Sequence, residues 1–284
     1  MLAAAGVLVL VALVLIVAHG HSGARAGHSA ALGANGATPS RSLGASAPYP
    51  VGQLAAPVDQ PSVDAVLRYT SYLALAGDRR RDLALTFDDG PGPYTAAILR
   101  VLRATHTPAT FFVIGRWARR YPRLVAAEAR GGFEIGDHTE THPFMPELSP
   151  TEQEAQIADA ANNIVRAGGP YPRLWRPPYG AFNPATLAIL RAERMLMVLW
   201  SVDTSDYIRP GVSKIVYTAV SGARPGAVIL MHDGGGNRSE TVAALPRIIK
   251  LLRARGYRLV TIAQLLADDP PPRGQPPPHP LSGI

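Results

Sequence analysis

Between residues 81 and 267 short apolar runs alternate with longer stretches whose apolar positions recur every three or four residues. The runs at 83–87, 110–114, 133–136, 174–176, 196–201, 227–231 and 258–261 have the length and bounding turn residues of strands. Helical patterns separate them. Ser149-Pro150-Thr151-Glu152 opens one: Ser149 can cap, Pro150 suits the first turn, and Glu152 can close a capping box. Asn183-Pro184 opens another, and Leu245, Ile248, Ile249 and Leu252 form an apolar stripe that stops at Gly256. Residues 62–76 read as a single helix packing on the domain. Strands alternating with helices predict an α/β fold with a parallel sheet. A barrel of seven or eight units fits the length, and a doubly wound open sheet fits the same periodicity.

The flanks read differently. Residues 1–26 hold an uncharged Leu/Val/Ala/Ile stretch, which is expected to act as a signal peptide or N-terminal membrane anchor. Residues 27–57 form a Gly/Ala/Ser/Pro linker, 58–80 an extension packing on the domain, and 268–284 a Pro-rich tail. The 284 residues are 47% hydrophobic and 17% charged, a globular composition with flexible additions. A net charge of +7 suits an anionic cell envelope, although a general compositional preference for Arg and Ala accounts for it more simply, and only two of the 28 basic residues are lysines. The arginines are scattered apart from Arg79-Arg80-Arg81, with no aromatic-interleaved basic stripe, so nucleic acid is not an expected partner. The absence of cysteine excludes disulfides, thiolate metal sites and thiol nucleophiles.

Polar clusters fall just after the strands, where a parallel α/β fold gathers its chemistry. They are Asp88-Asp89-Gly90-Pro91, His138 with His142, Arg176-Pro177-Pro178-Tyr179, Asp203 with Asp206, and His232-Asp233. His138 and His142 are four apart, which on a helical turn brings two imidazoles to one face. Two imidazoles and a carboxylate make a common catalytic zinc set, although two ordinary surface histidines fit the spacing too. Thr139 follows the first histidine, which argues against an HExxH protease. Asp88 and Asp89 end a strand, where neighbours point in opposite directions, so one can bind a metal while the other acts as a base. An acidic turn is the plain alternative. His106 reads as a loop residue, and Trp175 and Trp200 read as core.

Taken in order, Thr86-Phe87-Asp88-Asp89-Gly90-Pro91, His138-Thr139-Glu140-Thr141-His142, Arg176-Pro177-Pro178-Tyr179-Gly180, Asp203-Thr204-Ser205-Asp206-Tyr207 and Leu230-Met231-His232 resemble five motifs. These belong to the polysaccharide deacetylases with a NodB-homology domain (carbohydrate esterase family 4), and the resemblance spans 81–267. It implies a distorted (β/α) barrel of seven or eight units and a divalent metal, usually zinc, held by Asp89, His138 and His142. It implies Asp88 as general base, oriented by Arg176, and His232 as general acid, paired with Asp203. The Tyr179 backbone N–H would help hold the oxyanion. Asp206 is the less secure member of its cluster, and Tyr207 stands where the family often has Trp. The implied activity is N-deacetylation of a polysaccharide, peptidoglycan N-acetylglucosamine or chitin-like oligomers. Acetyl-xylan esters, a small-amide hydrolase and a non-catalytic wall-binding scaffold are the alternatives. The expected protein is a monomer acting outside the cytoplasm.

Overall fold

The structure, a computed structural model, describes residues 60–275. The leader, the linker and the end of the Pro-rich tail lie outside them. Among the described residues no helix is long and apolar enough to cross a membrane.

Among the described residues nine strands form one sheet: β1 (Tyr72–Leu73), β2 (Asp82–Gly90), β3 (Thr110–Val113), β4 (Glu134–Asp137), β5 (Leu174–Trp175), β6 (Leu196–Val198), β7 (Val202–Asp203), β8 (Val228–His232) and β9 (Arg258–Val260). Their order is β1-β6-β5-β4-β3-β2-β8-β7, with β9 added beside β2, and every strand pairing is parallel. Nine α-helices accompany them among the described residues: α1 (Pro61–Leu67), α2 (Thr95–Ala104), α3 (Gly115–Arg120), α4 (Pro122–Arg130), α5 (Pro150–Arg166), α6 (Pro184–Ala192), α7 (Val212–Ser221), α8 (Ser239–Ala254) and α9 (Ile262–Asp268). This curled parallel sheet with helices is the distorted (β/α) barrel. The open-sheet alternative falls away.

Strand β2 organises the whole. Leu83, Leu85 and Phe87 join the core shared with α2, α7 and α8, whereas Ala84 belongs to a different core cluster. Strand alternation therefore sends Thr86 and Asp88 to the face that also carries Phe112. Phe87 stacks on Phe111 at 5.2 Å between ring centroids, and Phe133 meets Phe111 edge-on at 5.6 Å. Both capping boxes form, Ser149 with Glu152 at α5 and Asn183 with Thr186 at α6. They satisfy backbone donors that helix starts leave open.

Two departures stand out. The single helix expected over 62–76 stops at Leu67, and the chain then enters the sheet as β1 beside β6. Strands β1 and β7 hold two residues each, too short to leave a period in the sequence. The tail also has a described start. Tyr69 donates its hydroxyl to the Pro271 carbonyl at 2.8 Å, Tyr72 donates to the Gln275 carbonyl at 3.0 Å, and the buried Asp269 carboxylate accepts the Arg79 and Arg80 N–H groups.

Phe111→Ala removes the centre of the aromatic stack. A loss of about 3–5 kcal/mol is expected, seen by calorimetry as a fall in Tm of roughly 10 °C.

Candidate active site

Strand β2 pairs with β8 up to Asp88 opposite His232, so one carboxylate and one imidazole become neighbours at the C-terminal strand ends. On its other side the register with β3 shifts between Asp88 and Gly90. Asp89 occupies that shift in a left-handed conformation, φ 70°. Simple alternation would have sent the two carboxylates apart. The bulge instead turns both toward His138: Asp88 Oδ2 lies 3.7 Å and Asp89 Oδ1 3.6 Å from its Nε2.

The two histidines do not sit on a helical turn. Residues 138–142 form an irregular loop in which Thr139 and His142 have φ 67° and 64°. Thr139 N–H donates to Asp137 Oδ1 at 2.6 Å, His142 N–H to Thr139 Oγ1 at 3.0 Å, and Glu140 N–H to the Gln156 carbonyl at 2.8 Å. The first turn of α3 adds two more ties, from Gly115 N–H to the Thr139 carbonyl and from Arg116 N–H to the Glu140 carbonyl, each 3.0 Å. This framework holds the rings 4.9 Å apart, with His142 Nε2 3.3 Å from Asp89 Oδ1.

Asp89, His138 and His142 each offer a donor atom, all within 4.8 Å of one another. His138 Nδ1 is engaged by the Arg176 carbonyl at 2.8 Å, which leaves Nε2 for the cluster. Burial pushes the His138 pKa down to about 3, His142 adding to the effect against Asp89, and burial lowers His142 too. Both rings are therefore neutral, the form that ligates. Asp89 Oδ1 is a buried acceptor with no hydrogen-bond donor. An orphaned carboxylate oxygen facing two neutral imidazoles fits a divalent cation.

Asp88 is buried at the edge of this cluster. Arg176 Nη1 donates to Asp88 Oδ1 at 2.7 Å and to Thr86 Oγ1 at 2.9 Å, and its remaining donors reach the Val198 and Leu199 carbonyls. Burial raises the Asp88 pKa, against the pull of Arg176 and His232.

The expected pairing of Asp203 with His232 is not what the fold builds. Asp206 takes that place: its Oδ1 lies 2.7 Å from His232 Nδ1, and its Oδ2 accepts the His232 N–H at 2.9 Å and the Thr241 hydroxyl at 2.6 Å. Asp203 ends β7 and accepts the Ser205 N–H at 2.7 Å in a local turn. Ser205, at φ 53°, then reverses the chain and carries Asp206 inward. Burial opposes a charge on His232, but Asp206 outweighs it, with Asp89 and Asp88 adding, and lifts the pKa to about 9.

Tyr179 and Tyr207 flank the cleft, 51% and 46% exposed, the first edge-on to His142 and the second edge-on to His232. Tyr179 has φ 59°. Trp175 is buried in β5, and Trp200 is half-buried beside Arg176. His106 lies in a loop whose carbonyl accepts from Arg253. Asp233 is buried behind Gly90 and accepts the Thr95 hydroxyl. Sequence reading missed Thr241 and Arg238. Arg238 donates to the Gly234, Gly235 and Tyr207 carbonyls and so ties the Gly234-Gly235-Gly236 turn after β8 to Tyr207. No motif marks either. A cavity of about 980 Å³, bordered by Tyr69, Tyr72, Asp269 and Pro271, touches none of these residues.

The family model for polysaccharide deacetylase matches residues 76–198. The chain is 41% identical over 187 residues to a Bacillus cereus peptidoglycan-N-acetylglucosamine deacetylase, covering 65% of this chain and 87% of that one. The chain belongs to the polysaccharide deacetylase family, carbohydrate esterase family 4. A chitooligosaccharide deacetylase of Bradyrhizobium sp. is 37% identical over 199 residues, covering 65% of this chain and 90% of the relative. Among solved structures, the Bc1960 peptidoglycan N-acetylglucosamine deacetylase superposes with a TM-score of 0.68 at 32% identity, covering 71% of this chain and 95% of that one. In this polysaccharide deacetylase Asp88, Asp89, His138, His142 and Arg176 meet beside the Asp206–His232 pair at the C-terminal strand ends.

Two measurements probe the geometry. A Cβ on Gly235, which sits at φ 70°, would fall 2.3 Å from Asp89 Oδ2. Gly235→Ala is expected to weaken binding of a divalent cation by about tenfold or more in a metal titration. In Asp206→Asn the largest pull against burial on His232 is gone and only Asp89 and Asp88 still oppose it, so an NMR titration should find its pKa lowered by roughly one unit or more.

Proposed function

We propose that this deacetylase hydrolyses N-acetyl groups on an extracytoplasmic glycan, peptidoglycan N-acetylglucosamine or a chitin-like oligomer, releasing acetate and a free amino sugar. One observation carries the reading. A buried acid–base pair, Asp88 with Arg176 and His232 with Asp206, borders the Asp89–His138–His142 cluster. Relatives named for both glycans support the substrate class. The hydrophobic segment within residues 1–26 is assigned as the leader or anchor that places the protein outside the cytoplasm, where its +7 charge faces an anionic envelope.

Asp89, His138 and His142 would hold the divalent cation, and the two-imidazole, one-carboxylate donor set favours zinc. When bound, such an ion polarises an acetyl carbonyl and acidifies water. The protein's own residues account for the proton movements. Asp88, its carboxylate aimed by Arg176, accepts a proton from the attacking water. Its raised pKa makes it a stronger base than an exposed aspartate. The Tyr179 N–H is assigned to the oxyanion of the tetrahedral intermediate. His232, protonated at neutral pH, transfers a proton from Nε2 to the leaving nitrogen, because Asp206 engages Nδ1. The C–N bond breaks, the amine departs neutral, and acetate remains. Tyr179 and Tyr207 wall the sugar on either side.

The test is amine release from chitin oligomers and muropeptides, followed by mass spectrometry, beside acetate release from acetyl-xylan. Asp88→Asn is expected to keep its metal and lose turnover by about 10²-fold or more, and chelation followed by zinc should abolish and restore activity. Near-normal deacetylation by Asp88→Asn would remove the base assignment.

A further inference from the structure

The segment 116–123 reads Arg-Trp-Ala-Arg-Arg-Tyr-Pro-Arg, four arginines with no acidic residue. This is an aromatic-interleaved basic stripe in the string itself, so the expectation that the chain has none is wrong. Helix α3 and the residue after it carry it. The Arg116 guanidinium lies 4.7 Å over the Trp117 ring. Trp117 and Tyr121 are 6.3 Å apart at 35°. Arg120 covers Tyr121 at 5.5 Å and donates Nε to its hydroxyl at 3.1 Å. Arg116, Arg119 and Arg120 are exposed, and Trp117 and Tyr121 are half-buried. Arg119 lies 3.4 Å from Glu140; among the described residues Arg116, Arg120 and Arg123 form no salt bridge.

We infer that this strip docks the carboxylate-bearing substituents of an acidic glycan strand whose acetylated sugar occupies the cleft. The inference rests on the glycan reading above and narrows it to an acidic wall polymer over neutral chitin. Three features favour that partner. A guanidinium over an aromatic ring is attracted to it and held there, and the Arg116 N–H groups and the Arg120 terminal N–H groups remain as donors to a carboxylate. The strip is anchored to the active-site loop, since Gly115 and Arg116 donate their N–H groups to the carbonyls of Thr139 and Glu140 and Arg119 lies beside the Glu140 carboxylate, inside the loop that bears both cluster histidines. Finally, arginines already cover Trp117 and Tyr121. A single-stranded nucleic acid would need those ring faces for base stacking, whereas carboxylates need only the guanidinium edges.

The experiment compares the full chain with an Arg116→Gln/Arg120→Gln variant and an Arg116→Lys/Arg120→Lys variant. Co-sedimentation with peptidoglycan sacculi reads docking without turnover, with a short single-stranded DNA as competitor. Kinetics on a soluble muropeptide and on neutral chitopentaose give the ratio of kcat/KM values. The Gln variant is expected to weaken sacculus binding and lower the muropeptide-to-chitopentaose ratio by about five- to tenfold, and salt should erode the parent's preference. The Lys variant should fall between. Equal losses on both substrates, unchanged sacculus binding, or DNA that displaces the sacculi would overturn the inference. Arginine-dependent sacculus binding by a protein that deacetylates neither substrate would uphold the strip while removing the proposed reaction.

Discussion

The active end of this barrel depends on a buried ion pair. Asp88 lies on the inner side of β2, out of water, and keeps its place because Arg176 reaches it from the end of β5 at 2.7 Å. Burying both charges is costly, and the attraction offsets that cost only when the remaining donors are also satisfied. Here they are: Thr86 Oγ1 and the Val198 and Leu199 carbonyls take the rest of the guanidinium. The pair therefore links β2, β5 and the end of β6 and fixes the direction of the carboxylate. Removing one partner would leave an uncompensated charge in the interior, whereas the intact pair gives Asp88 a single orientation beside His138.

Around that pair the fold sorts three histidines into two protonation states. Desolvation acts on all three. His138 and His142 face each other and lie near Asp89, and burial dominates, so both stay neutral. His232 is buried as well, yet Asp206 accepts from both its ring and its backbone N–H, and the balance reverses. One cleft thereby holds neutral imidazoles suited to ligation next to a charged one suited to giving up a proton. Pushing apart the pKa values of neighbouring groups in this way divides the work of an acid–base site.

Much of this was legible in the chain. The seven apolar runs become β2–β6, β8 and β9, because strands buried on both faces leave continuous apolar segments. The caps at Ser149 and Asn183 were legible because capping chemistry is local. Strands β1 and β7 were not, since pairing partners and not composition define two-residue strands. At the site, residue identity was readable and geometry was not. Asp203 and Asp206 are equivalent in a string, and the left-handed Ser205 between them decides which reaches His232. In the same way the bulge at Asp89 and the irregular loop of residues 138–142 replace the extended chain and helical turn that spacing alone implied. Thr241 and Arg238 act through backbone and carboxylate partners dozens of residues away or around a loop, and carry no spacing signal.

The most direct measurement is anomalous diffraction at the zinc edge from crystals of the zinc-loaded protein. The expected result is one strong peak about 2.0–2.2 Å from an Asp89 carboxylate oxygen, His138 Nε2 and His142 Nε2, with Asp88 and His232 beside it and outside the ligand set. A peak elsewhere, or an ion that recruits Asp88 or His232 in place of one of those three residues, would contradict the account.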